Sequence, residues 1–189
     1  YTMSLVIQLL VNGLLLGSVL ALAALGLSLI FGVMDVVNFA HGTFVMLAMY
    51  AAYVLWTIAG IDPFLSVLIV APVFFVFGVV TERLVIAPII DRPMFAQVFS
   101  TLGLLWILQF FAQFVFGPTT RSFNAGYGGL SAGGVIVEEV RLYGFIITIA
   151  VTGLLYLFLQ RTKIGLGIRA TAQSDTLAQP FGINIDRIY

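Results

Sequence analysis

Cysteine is absent from this 189-residue chain, and histidine occurs once, at position 41. Without thiols there are no disulfides, no thiolate metal sites and no cysteine nucleophile. A single histidine leaves no basis for a protein-only zinc or di-iron site, so no metal and no cofactor are expected. Charge is equally scarce. Charged residues make up 8% of the chain, hydrophobic residues 61%, and the mean hydropathy is +1.15. A soluble domain carries about 25% charge, so this surface cannot be mostly wet. The formal net charge is zero, which excludes a basic nucleic-acid platform. No nucleophile elbow or metal motif is present, so an intramembrane enzyme has no support. The apolar start lacks a basic n-region and runs too long for a signal-peptide core. Opening on Tyr1 and ending at Tyr189 without a polar tail, the sequence reads as a fragment of something longer.

What is present is a set of long apolar runs. A membrane span needs about 20 mostly apolar residues. The candidates are Leu5–Val33, Phe44–Ala59, Phe64–Val80, Ala96–Phe116 and Leu142–Leu159. The first would measure roughly 43 Å as a helix, too long for one untilted span. It is either one long tilted helix or a span plus a short helix that breaks near Gly32. Gly13, Gly17, Gly26 and Gly32 lie along it. They permit close helix packing or provide a hinge. Gln8 and Asn12 in the same run are expected to bond between helices, with Asn12 also a candidate for lining a pathway.

The runs are separated by clear punctuation. In Gly60-Ile61-Asp62-Pro63, Asp62 can cap the next helix and Pro63 suits its first position. Pro88 and Pro93 bracket a second connection, and Gly117-Pro118 ends the fourth run. The glycine-rich stretch from Pro118 to Arg141 reads as a loop, with Val135-Ile136-Val137 able to form a short strand. The expected fold is therefore all-α. It is a polytopic membrane helical bundle of five to six transmembrane helices, with a broken helix near residues 32–42 and β structure only in the long loop.

Basic residues give an orientation. Arg83 and Arg92 lie between the third and fourth runs, and Arg161, Lys163, Arg169 and Arg187 follow the fifth. Those segments are expected on the cytoplasmic side. The glycine-rich loop and Asp62 then face outward. The N-terminus is outside if the first run crosses once and inside if it crosses twice.

The join between the first two runs is the most informative place. Asp35, Asn38 and His41 fall within seven residues, followed by Gly42. Such groups cost several kcal/mol each if unpaired against lipid. They are placed where water, protein or a solute meets them. Asn38 and His41, three apart, can share a helix face, whereas Asp35 and His41 cannot. A broken helix would free backbone groups for a passing solute, with Asp35 and a helix N-terminus able to meet charges on it. The alternative is structural: Asp35 caps a helix, while Asn38 and His41 bind backbone carbonyls.

Several segments are similar to a known family. They are Asn12–Ser18 (NGLLLGS), Ala24–Val33 (ALGLSLIFGV), Val37–Gly42 (VNFAHG), Arg161–Gly165 (RTKIG), Ile168–Ala170 and Gly182–Arg187 (GINIDR). Along almost its whole length the chain resembles the permease subunits of branched-chain amino acid ABC transporters. The resemblance implies import of a small polar solute, driven by ATP on separate subunits, so the chain itself would not be an enzyme. It implies a second permease subunit, two ATP-binding subunits, an external solute-binding protein, and a multi-pass place in the bacterial inner membrane. Residues 1–189 would form one incomplete transmembrane permease domain, about the N-terminal two-thirds of a subunit, with 161–189 a cytoplasmic loop segment. Two residues depart from the usual pattern: Thr43 stands where an acidic residue is common, and Pro180 interrupts the cytoplasmic segment. In that segment Arg169, Asp175, Phe181, Gly182 and Ile183 are the expected ATPase-docking residues. Its apolar side chains suit a groove on a partner or, alternatively, the lipid surface. A secondary transporter or channel, or an amide or urea ABC permease, is the rival reading.

Overall fold

The computed structural model describes residues 2–122, 126–132 and 134–173. The described chain is almost wholly helical. Helix α1 spans Thr2–Met34, α2 His41–Ala59, α3 Pro63–Thr81, α4 Met94–Phe116, α5 Glu139–Arg161 and α6 Lys163–Gln173. Strands β1 (Gly129–Ala132) and β2 (Val135–Glu138) form an antiparallel hairpin, with Leu130 opposite Val137. β structure thus falls inside the glycine-rich segment, as expected. Five helices are long and apolar enough to cross a membrane.

Of the two forms open to the first apolar run, the structure has the single helix. It passes Gly32 without interruption, and its 33 residues make a rod about 50 Å long. The break comes just afterwards. Residues 35–40 are non-helical, and α2 starts at His41. At its far end α2 stops on Gly60 (φ +64°), where a left-handed backbone favours glycine. The Gly60 and Ile61 N–H groups turn back to the carbonyls of Trp56 and Leu55. Asp62 then caps α3, its Oδ1 accepting from the Phe64 N–H at 2.8 Å, with Pro63 in the first turn. Pro72 sits inside α3 and leaves the helix one backbone bond short. The third rod also outlasts its apolar run: a π-helical turn (Glu82–Ile86) and a 3-10 turn (Ala87–Ile89) extend it.

The chain divides into two compact units. One comprises residues 34–125, and the other residues 1–33 with 126–189. In the first, α2 packs on α3 and α4. Its buried side chains are mostly small or hydroxylic: Ala40, Thr43, Ser66, Thr81, Thr101 and Ala112. Small residues at helix contacts let backbones approach in a medium where burial of apolar surface drives little. Two of the hydroxyls bond within their own helices, Ser66 to the Pro63 carbonyl at 2.6 Å and Thr81 to that of Phe77 at 2.9 Å. Ring contacts complete the packing, with Phe44 5.1 Å from Phe77 and Tyr50 stacked on Phe116 at 4.3 Å.

In the second unit Gln8 does not bond between helices. Its side-chain amide accepts from the Ile136 N–H at 2.6 Å and donates to the Ile136 carbonyl at 2.5 Å. This ties the start of α1 to β2. At the opposite end of α5, Thr162 caps α6, its hydroxyl accepting from the Gly165 N–H at 2.9 Å. A β-carbon on Gly165 would lie 2.5 Å from the backbone of Phe158 and Leu159, so only glycine allows this elbow.

Candidate functional site

The break between α1 and α2 gathers four of the expected pathway residues. Asp35 ends α1 in the left-handed region at φ +51°, a conformation that aspartate tolerates better than most residues. It is exposed, and it closes a helix rather than capping the start of one. Asn38 lies outside both helices, so it shares no helix face with His41. Its Oδ1 accepts from the Ala40 N–H at 3.0 Å, and its main-chain carbonyl accepts from the His41 N–H at 3.2 Å. Asn38 therefore shapes the turn that launches α2, by accepting from a backbone N–H and not by the expected bond to a backbone carbonyl. His41 is half-buried and Gly42 exposed in the first turn of α2.

The break is not a loose linker. Val36 and Ala40 are completely buried. From α4, the hydroxyl of Thr101 lies 3.2 Å from the Val37 carbonyl and about as far from those of Gln97 and Val98 in its own helix. Thr101 is itself fully buried. One hydroxyl proton shared among three carbonyls fixes the break against α4 while leaving alternative bonds of similar length. The partner lies 64 residues from Val37, and nothing local marks it. The only sequence signal is Gln97 and Thr101 on one face of an apolar helix.

Asn12 is half-buried on α1, about 33 Å along the helix from Met34, and does not belong to this cluster. Of the expected docking residues only Arg169 is described; Asp175, Phe181, Gly182 and Ile183 lie outside the described residues. Arg169 is half-buried on α6 and donates from Nη1 to Gln160 Oε1 at 3.1 Å. Among the described residues no group of histidine and carboxylates is placed to hold a metal.

A second feature of the same unit as the break was not foreseen. A cleft of about 310 Å³ opens between the middle of α2 and the far end of α4, lined by Met49, Tyr50, Tyr53, Gln109, Gln113 and Arg121 among others. Arg121 Nη2 donates to the Phe116 carbonyl at 3.0 Å, holding the segment after α4 over the cleft.

Five apolar helices, the first two joined by a buried and hydrogen-bonded segment, define a multi-pass helical membrane protein. The chain belongs to the family of permease components of branched-chain amino acid transport systems, which residues 9–189 match. It is 30% identical over 96% of its length to the high-affinity branched-chain amino acid transport system permease protein BraD of Pseudomonas aeruginosa. It is 30% identical over 90% of its length to a probable permease LivH of Methanocaldococcus jannaschii, and 24% over 96% to LivH of Escherichia coli. The chain spans 64%, 56% and 64% of those proteins. No solved structure matches it.

Proposed function

We propose that the chain is a membrane-spanning permease subunit of an ATP-driven importer for branched-chain amino acids or similar small polar solutes. The observation that carries this is the pinned break between α1 and α2, in a chain of this family. A break held by Thr101 presents main-chain groups and the exposed Asp35 carboxylate between two long apolar helices, which a merely anchored helix would not need. Asp35 would meet the ammonium of a zwitterion, and the positive end of the α2 dipole its carboxylate. His41 and Gly42 would line the approach, and Asn12 a more distant stretch.

Basic residues support one orientation. Arg83 and Arg92 near the α3–α4 connection, and Arg161, Lys163 and Arg169 at the α5–α6 elbow, face the cytoplasm. A single-crossing α1 then starts outside, next to the hairpin to which Gln8 ties it. Thr101, about 10 Å along α4 from its cytoplasmic start, holds the break at that depth. Partners under this reading are a second permease subunit, two ATP-binding subunits and an external binding protein, in the bacterial inner membrane. ATP hydrolysis belongs to those partners. Exposed Ile164 on α6 offers an apolar contact to an ATPase, and Asp175, Phe181, Gly182 and Ile183, further along the sequence, are the proposed docking residues.

Uptake by the assembled transporter is the test. Asp35→Asn and His41→Ala should lower uptake of labelled leucine while the ATPase is still retained on detergent extraction. Variants that fail to accumulate in the membrane would instead make these residues structural. Uptake that persists without ATPase subunits would favour a secondary transporter.

A further inference from the structure

Within the unit formed by α1, α5 and α6 lies a groove of about 340 Å³. Its walls are apolar for most of their length: Leu25, Leu29 and Gly32 on α1, Leu155 and Leu159 on α5. It extends about 12 Å along α1, from Leu25 to Val33. Arg169 of α6 lines it as well. Nη1 of Arg169 is bonded to Gln160, but Nε is sealed from solvent and has no hydrogen-bond partner. A buried guanidinium N–H without an acceptor is costly, and a guanidinium is shaped to hold carboxylate or phosphate oxygens. Among the described residues of its unit, carboxylates are few. There is no acidic residue in α1, nor anywhere from Val140 to Gln173, while Arg161 and Lys163 add positive charge beside the elbow.

We propose that this groove binds an anionic phospholipid, with its phosphate at the Arg169 guanidinium and an acyl chain along α1 and α5. The apolar part selects lipid over a soluble anion. It runs between two membrane-spanning helices, where an acyl chain reaches and a carboxylate of a soluble partner does not. Basic residues at the end of a spanning helix are where anionic headgroups collect. The site asks only that the protein sit in a membrane, so it stands or falls separately from the transported solute.

Native mass spectrometry of the purified protein in detergent tests this, with phosphatidylglycerol and phosphatidylcholine of identical chains added at equal concentration. Wild-type protein should retain phosphatidylglycerol about tenfold more than phosphatidylcholine, whose quaternary ammonium is repelled by the positive charge of Arg161, Lys163 and Arg169. Inorganic phosphate in large excess should not displace it. Arg169→Gln should abolish the preference. Leu29→Trp, which fills the groove and keeps the arginine, should lower retention of both lipids. Arg121→Gln, on another segment, should change neither. Equal retention of the two lipids by wild-type protein would overturn the proposal without any variant having to fold. So would displacement by phosphate alone, or a preference that survives Arg169→Gln.

Discussion

Asp35 and Thr101 act on the same six-residue break by different means, and substitutions separate them. Asparagine tolerates the left-handed backbone nearly as well as aspartate. Asp35→Asn should therefore keep the melting temperature in detergent unchanged, so a fall in uptake reports the lost charge. Asp35→Val forces a β-branched side chain to φ +51° and should cost about 1–2 kcal/mol, read as a lower melting temperature. At Thr101, valine keeps the volume and removes the donor to Val37. The expected loss is about 1 kcal/mol. It should appear as faster hydrogen exchange over residues 36–40, with Thr101→Ser staying close to wild type. Unchanged exchange in Thr101→Val would mean that packing of Val36 and Ala40 alone fixes the break.

The elements were legible where their signals are local. Asp62-Pro63 marked the start of α3 because a cap and a first-turn proline act within three residues. The break was legible because three polar groups between apolar runs have few tolerable places. The left-handed turn at Asp35, the hold from Thr101 and the Gln8 link to β2 were not, because each depends on a partner distant in sequence or on backbone shape. The RTKIG segment shows the difference most clearly. It stood out by resemblance, but its physical reason is the α5–α6 elbow: Thr162 caps α6 while Gly165 touches the α5 backbone. Gly165→Ala should displace α6 from α5, since the clash is with main chain that cannot rotate away. Limited proteolysis should then cut within residues 163–173 much faster than in wild type, with the five spans still inserted. Thr162→Ala, which loses only the cap, should cost about 1 kcal/mol and cut at an intermediate rate.

At the scale of the whole molecule, the exposed surface is dominated by large apolar side chains, Phe75, Phe95 and Phe114 among them. In a bilayer such side chains meet lipid, so their exposure marks no defect of the fold. The cysteine-free chain suits labelling of single introduced thiols. Ser131→Cys, on the hairpin, should react with an impermeant maleimide from outside, and Lys163→Cys only after the cytoplasmic face is opened. The reverse pattern would invert the topology and move α6 away from ATP. For coupling, Phe181→Ala should weaken recovery of the ATPase from detergent extracts by more than 1 kcal/mol if that ring is an anchor. Arg169→Ala should matter less to that recovery, because its guanidinium is turned toward Gln160 and the groove of its own unit. Normal recovery with Phe181→Ala would remove the segment after α6 from the docking surface.

The Gln8 amide has a consequence for the hairpin beyond tethering. Its carbonyl and amino groups meet the N–H and C=O of one residue, Ile136, as a neighbouring strand would. Along an antiparallel strand, successive residues turn these groups to opposite edges. Gln8 therefore works as a frame-keeper, satisfied only while Ile136 is among the outward-facing residues. If β2 moved along by one residue, Gln8 would meet a residue whose peptide groups point to β1, and both bonds would vanish. A hairpin of two four-residue strands is marginal by itself, so a single side chain on a spanning helix helps to set its reading frame.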